Sequence, residues 1–141
     1  MNLKNPIQVS TIINKPIEKV WEYWNLPDHI TKWYFASSDW HCPAAENKLE
    51  IGEKFDFRME AKDGSVGFNF WGTYTIIETH KILKAILVDN RQLIIEFNYT
   101  DNITTIIETF EPENQNPVEL QQQGWQAILN NFKQYAESIV Q

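Results

Sequence analysis

Cys42 is the only cysteine in the 141-residue sequence, and His41 stands immediately before it. The pair invites two chemistries, nucleophilic attack by a thiolate or ligation of a metal. A thiolate nucleophile needs a base within hydrogen-bond reach, yet neighbours on an extended segment point to opposite sides. Zinc needs about four ligands, and the usual spacings to His29 and His80 are absent. The pair therefore reads as structural, with no metal and no cofactor expected. Carboxylate pairs come next, Glu46 with Glu50 and Asp56 with Glu60, since two acids whose pKa values are pushed apart can do acid–base work. Phe55, Phe57 and Met59 alternate with Asp56, Arg58 and Glu60, however, which places Asp56 and Glu60 on a wet strand face. No phosphate-cradling glycine loop, G-x-S-x-G elbow or dinucleotide fingerprint is present. No residue is assigned a catalytic role.

The more informative set is aromatic: 6 Trp, 8 Phe and 5 Tyr. Trp24, Trp33, Trp40, Phe57, Phe70, Tyr74 and Trp125, with Leu129 one helical turn beyond Trp125, are expected to converge between a sheet, two short helices and a long helix. Aromatic stripes are more often core than site. As a group they exceed what a core of this size needs, and Trp N–H and Tyr O–H groups can orient a ligand. They form the candidate ligand-binding set.

These side chains need elements to hold them. Residues Ile7 to Asn14 read as a strand with Ile7, Val9, Thr11 and Ile13 on one face. Pro16 signals a helix start, and Ile17, Val20, Trp21 and Trp24 make one buried stripe behind it. Pro27 ends that helix, and Asp28 to Tyr34 predicts a second short one. Residues Phe35 to Asn47 read as irregular, with Pro43 as a breaker. From Leu49 the period is two, and Asp63-Gly64 marks a hairpin. The return strand, Gly67 to Glu78, is predicted to put Phe68, Phe70, Tyr74 and Ile76 on one face. Strands follow over 82–89, 92–99 and 103–110, with turns at Asn90-Arg91 and Asp101-Asn102.

The last segment predicts a helix from Pro117 to about Val140, with Asn116 as N-cap and Glu119 near its positive end. Trp125, Ile128, Leu129, Phe132, Tyr135, Ala136 and Ile139 share a stripe, while Gln121 and Gln122 leave the first turns less buried. Gly124 inside the helix costs about 1 kcal/mol relative to Ala, and close approach of another segment is the expected reason for it. The fold class that follows is α+β, one domain over 1–141, with a curved antiparallel sheet closed over a cavity by the long helix.

Net charge is -7 and the basic residues are scattered, so nucleic acid and anionic membrane surfaces are poor partners. The lone cysteine excludes an intrachain disulfide, no apolar stretch is long enough to span a bilayer, and Met1 to Pro6 has no apolar leader core. A cytoplasmic location is the expectation.

Several short motifs, taken in order, resemble a known family. They are Pro16-Ile17-Glu18-Lys19-Val20-Trp21, then Trp33 through Asp39-Trp40-His41-Cys42-Pro43, then Gly72-Thr73-Tyr74, Glu108-Thr109-Phe110, and Gln123-Gly124-Trp125 leading into Ile128-Leu129. Together they resemble the START-like (SRPBCC) helix-grip superfamily, in the branch named after the C-terminal domain of the activator of heat-shock-protein-ninety ATPase. The resemblance implies a helix-grip fold with an internal apolar cavity that takes a lipid-, flavonoid- or polyketide-like molecule. Glu53 and Trp71 depart from the pattern, and Trp71 either reshapes the cavity or lies on the outer face. Non-catalytic binding of a small hydrophobic molecule is the leading expectation. A cyclase- or hydrolase-type enzyme using pocket acid and base residues is the first alternative, and a chaperone-interaction module the second. At 141 residues the chain is expected to hold one such domain without the extra N-terminal domain of the chaperone activator, which places that reading last.

Overall fold

The computed structural model describes residues 2–140. Strand β1 (Ile7–Ile13) leads into helix α1 (Ile17–Asn25) and a single-turn helix α2 (Pro27–Ile30). Six strands follow, β2 (Trp40–Asn47), β3 (Lys54–Ala61), β4 (Gly67–Glu78), β5 (Ile82–Leu87), β6 (Gln92–Thr100) and β7 (Ile103–Phe110), and then helix α3 (Val118–Ser138). The strands make one antiparallel sheet in the order β1-β7-β6-β5-β4-β3-β2, curled around α3. This is the α+β helix-grip architecture expected from the strand and helix periods.

Local chemistry explains most of these elements. In α1 the stripe Ile17, Val20, Trp21 and Trp24 is buried as expected, and each such side chain contributes roughly 1.5–3 kcal/mol. The β6–β7 turn places Asp101 and Asn102 at φ 54° and 65°, which suits the right-handed twist of a two-residue hairpin. Helix α3 buries Leu129, Phe132 and Ala136 completely. Its polar side chains also cover the free edge of β1: Gln126 Nε2 donates to Ser10 O at 3.0 Å, and Lys133 Nζ donates to Ile12 O. An edge so covered cannot template another strand.

Five local expectations are corrected. Residues Trp40–Asn47 are a strand, not irregular; Pro43 sits where the pairing with β3 shifts between His41 and Ala44, and an edge bulge needs no N–H there. The second helix ends at Ile30, and turns continue only to Trp33. In β4 the register shifts between Tyr74 and Ile76, so Ile77 rather than Ile76 packs on the core. Pro117, not Asn116, is the N-cap of α3, and no side chain caps it. Asn116 instead donates its side-chain amide to Glu113 Oε2 at 3.0 Å.

The fifth concerns Gly124. A Cβ added there would have no heavy atom within 4 Å, so no close approach requires glycine. Gly124→Ala is therefore expected to stabilise the protein by about 0.5–1 kcal/mol, through helix propensity and a less flexible unfolded chain. A thermal melt a few degrees above wild type would show it; a lower melt would mean that α3 needs the glycine.

Candidate functional site

The inner faces of β3 to β7 point at α1 and at the Thr31–Asp39 segment. Strand alternation delivers Phe55 and Phe57 from β3, Phe70 and Tyr74 from β4, and Leu83, Ala85, Leu93 and Ile95 from β5 and β6. Trp24 of α1 and Tyr34 cover them. Together with Glu108 of β7 they enclose a cavity of about 30 Å³. Gly72 makes one wall fit: a Cβ there would stand 2.9 Å from the Phe55 ring, and Gly72 pairs with Phe55 across the two strands. This close approach accounts for the glycine.

Three groups give the cavity its polarity. The Tyr74 hydroxyl donates to Asn47 Oδ1 at 2.6 Å, and Asn47 Nδ2 donates to Asn25 O at 2.8 Å. That relay ties β4 to β2 and the end of α1, and burial raises the phenol above its ordinary range. Burial also pushes Tyr34 well up, with the nearby Glu108 adding to it. Glu108 is 4% exposed, and burial pushes its carboxyl up to about 8. Among the described residues it receives no hydrogen bond, so at neutral pH it is mainly a neutral acid.

A second space adjoins the first. It is an open cleft of about 250 Å³ with Met59, Phe68, Trp125 and Ile128 as apolar walls and Arg91, Glu113, Asn116 and Gln121 as polar lining. Tyr34 and Phe70 line both spaces, with ring centroids 6.1 Å apart and planes 24° from parallel. Trp125 stacks on Phe110 at 3.8 Å and meets the Phe70 ring edge-on at 5.9 Å. Tyr34 and Phe70 thus form a wall common to both spaces.

The expected binding residues divide accordingly. Trp24, Phe57, Phe70 and Tyr74 line the inner cavity, and Phe70 and Trp125 line the cleft. Trp40 is half-buried against Phe68, itself a cleft residue. Trp33 and Leu129 line neither space: both are buried in the packed core, Trp33 donating Nε1–H to Tyr23 O at 3.1 Å. Trp71 lies outside, with Lys54 Nζ 4.2 Å from its ring centroid.

The reactive candidates separate as strand parity requires. Cys42 is buried, and burial pushes its thiol up to about 11, so it carries little thiolate. His41 points the other way and lies 3.8 Å from Glu60. Asp56 and Glu60 are held on the outer face by Asn69 and Arg58. Among the described residues no group of three His, Cys, Asp or Glu side chains could hold a metal ion, and no helix is long and apolar enough to cross a membrane. Sequence reasoning missed the apolar lining residues Phe55, Leu83, Ala85, Leu93 and Ile95 and, more consequentially, Glu108 and Tyr34. Glu108 had a signal: Ile106 and Phe110 face inward on β7, and alternation puts Glu108 between them. Tyr34 had none: the helix expected over Asp28 to Tyr34 ends at Ile30, and Tyr34 lies beyond its turns.

A family model described as Activator of Hsp90 ATPase homolog 1-like protein matches residues 14–137. Among solved structures, an AHSA1-like protein from Aeromonas hydrophila shares 41% identity over 94% of this chain and 93% of its own, with a TM-score of 0.85. A protein from Cytophaga hutchinsonii shares 49% identity over 96% and 94%, with a TM-score of 0.83. One from Nitrosomonas europaea reaches a TM-score of 0.81 over 98% and 99% at 15% identity, a likeness of fold alone. No curated protein matches the chain.

Proposed function

The chain belongs to the Activator of Hsp90 ATPase homolog 1-like family, and from that premise we propose that it binds a small, largely apolar molecule along the path joining the inner cavity to the outer cleft. The observation that carries this reading is the shared wall of Tyr34 and Phe70. At about 30 Å³ the inner cavity holds little more than water, whereas ligand pockets run to roughly 300–1,000 Å³. Of these two spaces the cleft comes nearer to that range. A ligand reaching the inner wall must therefore displace the two rings. Trp24, Phe57, Phe70, Tyr74 and Trp125 form its apolar walls, while Trp33 and Leu129 belong to the packed core and Trp40 lies beside Phe68.

Native mass spectrometry of protein purified from its own host would reveal a molecule that travels with it. Tryptophan fluorescence against fatty acids, flavonoids and polyketide-like aromatics provides the second test, since Trp24 and Trp125 lie on the path. Saturable quenching by one class is expected; silence across the panel, in wild type and in an opened variant, sinks the reading. Tyr34→Ala is that variant. If the closed ring pair taxes binding, its removal raises apparent affinity on the order of tenfold, whereas weaker binding would make Tyr34 a contact rather than a gate. Phe70→Ala serves the same purpose where Tyr34→Ala unfolds.

One observation favours a second reading, acid-catalysed cyclisation or hydrolysis: a neutral carboxylic acid inside the cavity is placed to protonate a bound carbonyl. Product formed from polyketide-like or ester substrates, and lost in Glu108→Gln, would establish it. Ligand recovered unchanged would leave binding alone.

A further inference from the structure

Glu108 is the one carboxyl on the cavity wall, and like the Tyr34 hydroxyl it is left by the packing without a hydrogen-bond partner among the described residues. The inward row of β7 is Thr104, Ile106, Glu108 and Phe110, all less than a tenth exposed. Thr104 is satisfied within the protein, its hydroxyl donating to Lys15 O at 2.9 Å. Glu108 has no such partner among the described residues. Its register neighbours are Val9 on β1 and Ile95 on β6, both apolar. The Tyr74 hydroxyl, across the cavity on β4, is committed to Asn47. Among the described residues only Tyr23 Oη is a fully enclosed side-chain oxygen without a partner; the Glu108 oxygens open onto the cavity, where a carboxyl with no protein partner still costs the fold free energy. The group is nine-tenths buried and lines the cavity.

We propose that this wall selects molecules carrying an uncharged hydrogen-bond acceptor, such as a ketone or ester carbonyl, at the leading end of a slim apolar body, with the Glu108 carboxyl donating to it. The proposal rests on the binding reading above and adds the ligand's polar chemistry. The body would lie between Phe57 and Phe70 and reach back toward Trp125 in the cleft. A buried donor left unpaired penalises a ligand that lacks the acceptor, so discrimination of this kind is sharper than apolar fit alone.

Three facts favour a neutral acceptor over a cation. Burial holds the carboxyl protonated to about pH 8. The titratable groups facing it are Tyr34 from the segment after α2 and Tyr74 from β4, with Cys42 of β2 close to Tyr34, and burial pushes all three upward and so keeps them uncharged. Trp24 of α1, with Leu83, Ala85, Leu93 and Ile95 of β5 and β6, contributes no charge.

The test uses three probes of one shape: 2-acetylnaphthalene, 2-ethylnaphthalene and 2-(aminomethyl)naphthalene, titrated into the protein at pH 6.5 and followed by nitrogen–proton correlation NMR. The ketone should bind about 2- to 10-fold tighter than the hydrocarbon. Glu108→Gln, whose amide still donates, should keep the preference, and Glu108→Leu should abolish it while still binding the hydrocarbon. Equal affinity of ketone and hydrocarbon overturns the proposal and leaves the binding reading standing. Tightest binding of the amine overturns it in favour of an ionised carboxylate, as does a ketone preference that survives in Glu108→Leu in favour of another donor. If no probe binds wild type or Tyr34→Ala, both fall together.

Discussion

Replacing Glu108 by Leu is expected to stabilise the protein, by an amount that grows as the pH rises from about 5 to 8. The folded carboxyl is pushed up to about 8, against an ordinary value of 4.5. Below that ordinary value both folded and unfolded chains hold the proton, and the difference contributes no slope. Between the two values the unfolded chain releases its proton while the folded chain keeps it, so stability falls as pH rises, by on the order of 1 kcal/mol per pH unit. Above the folded value both states are ionised and the slope ends. A few kcal/mol are at stake, a large part of a typical domain's stability. Urea denaturation of wild type at pH 5, 6, 7, 8 and 9 should show the decline, and Glu108→Leu should flatten it. A flat wild-type profile would mean that the carboxyl is solvated or paired in solution. Glu111, just beyond β7, pulls the other way: hydrogen bonds from Lys4 N and Gln92 N, both 2.7 Å, hold its carboxyl below the ordinary range. Its contribution is present above the ordinary value and is lost as pH falls through the lowered one. Two acids three positions apart thus place maximum stability at mildly acidic pH.

The contrast between these acids shows what alternation can and cannot reveal. On β7 the inward parity of Ile106 and Phe110 implies that Glu108 is buried, and the structure puts it there. Parity also separated Asp56 and Glu60 from the cavity, and His41 from Cys42. It failed where a strand changes register. Beyond Tyr74 the shift in β4 turns Ile77 inward, and no residue type in Tyr74-Thr75-Ile76 announces it. The strand β2 was hidden by Pro43, which reads as a breaker unless its position at an edge bulge is known. Gly124 was legible as a cost but not as a cause, because its open surroundings are a property of tertiary packing. Tyr34 is the deepest omission. Its role depends on where the Thr31–Asp39 segment crosses the sheet opening, and the chain beyond the end of α2 at Ile30 carries no local record of that path. Asn131 Nδ2 donates to Trp33 O at 2.8 Å, a link between α3 and this segment that no spacing rule predicts.

Trp33→Ala and Trp125→Ala should separate core from site among tryptophans that look alike in sequence. Trp33 is 1% exposed, with ring centroids 4.9 Å from Trp24 and 4.7 Å from Phe132, and its N–H is spent on Tyr23 O. Removing it leaves a large cavity and an orphaned carbonyl, at a cost of about 3–5 kcal/mol, which approaches the whole stability of many domains. Trp125 is only partly buried; its truncation loses the Phe110 stack and some apolar area, a penalty of about 1–3 kcal/mol. The expected outcome is a crossed pattern. Trp33→Ala melts far below wild type, yet whatever fraction remains folded binds the naphthyl ketone normally. Trp125→Ala stays folded and binds it about tenfold more weakly, because a stacked aromatic wall of the cleft is gone. Denaturation curves and NMR titrations on both variants decide the matter. Normal binding by Trp125→Ala would remove the cleft from the ligand's path and confine recognition to the inner cavity. The ligand would then have to be small enough for the space that Tyr34 and Phe70 release when they move.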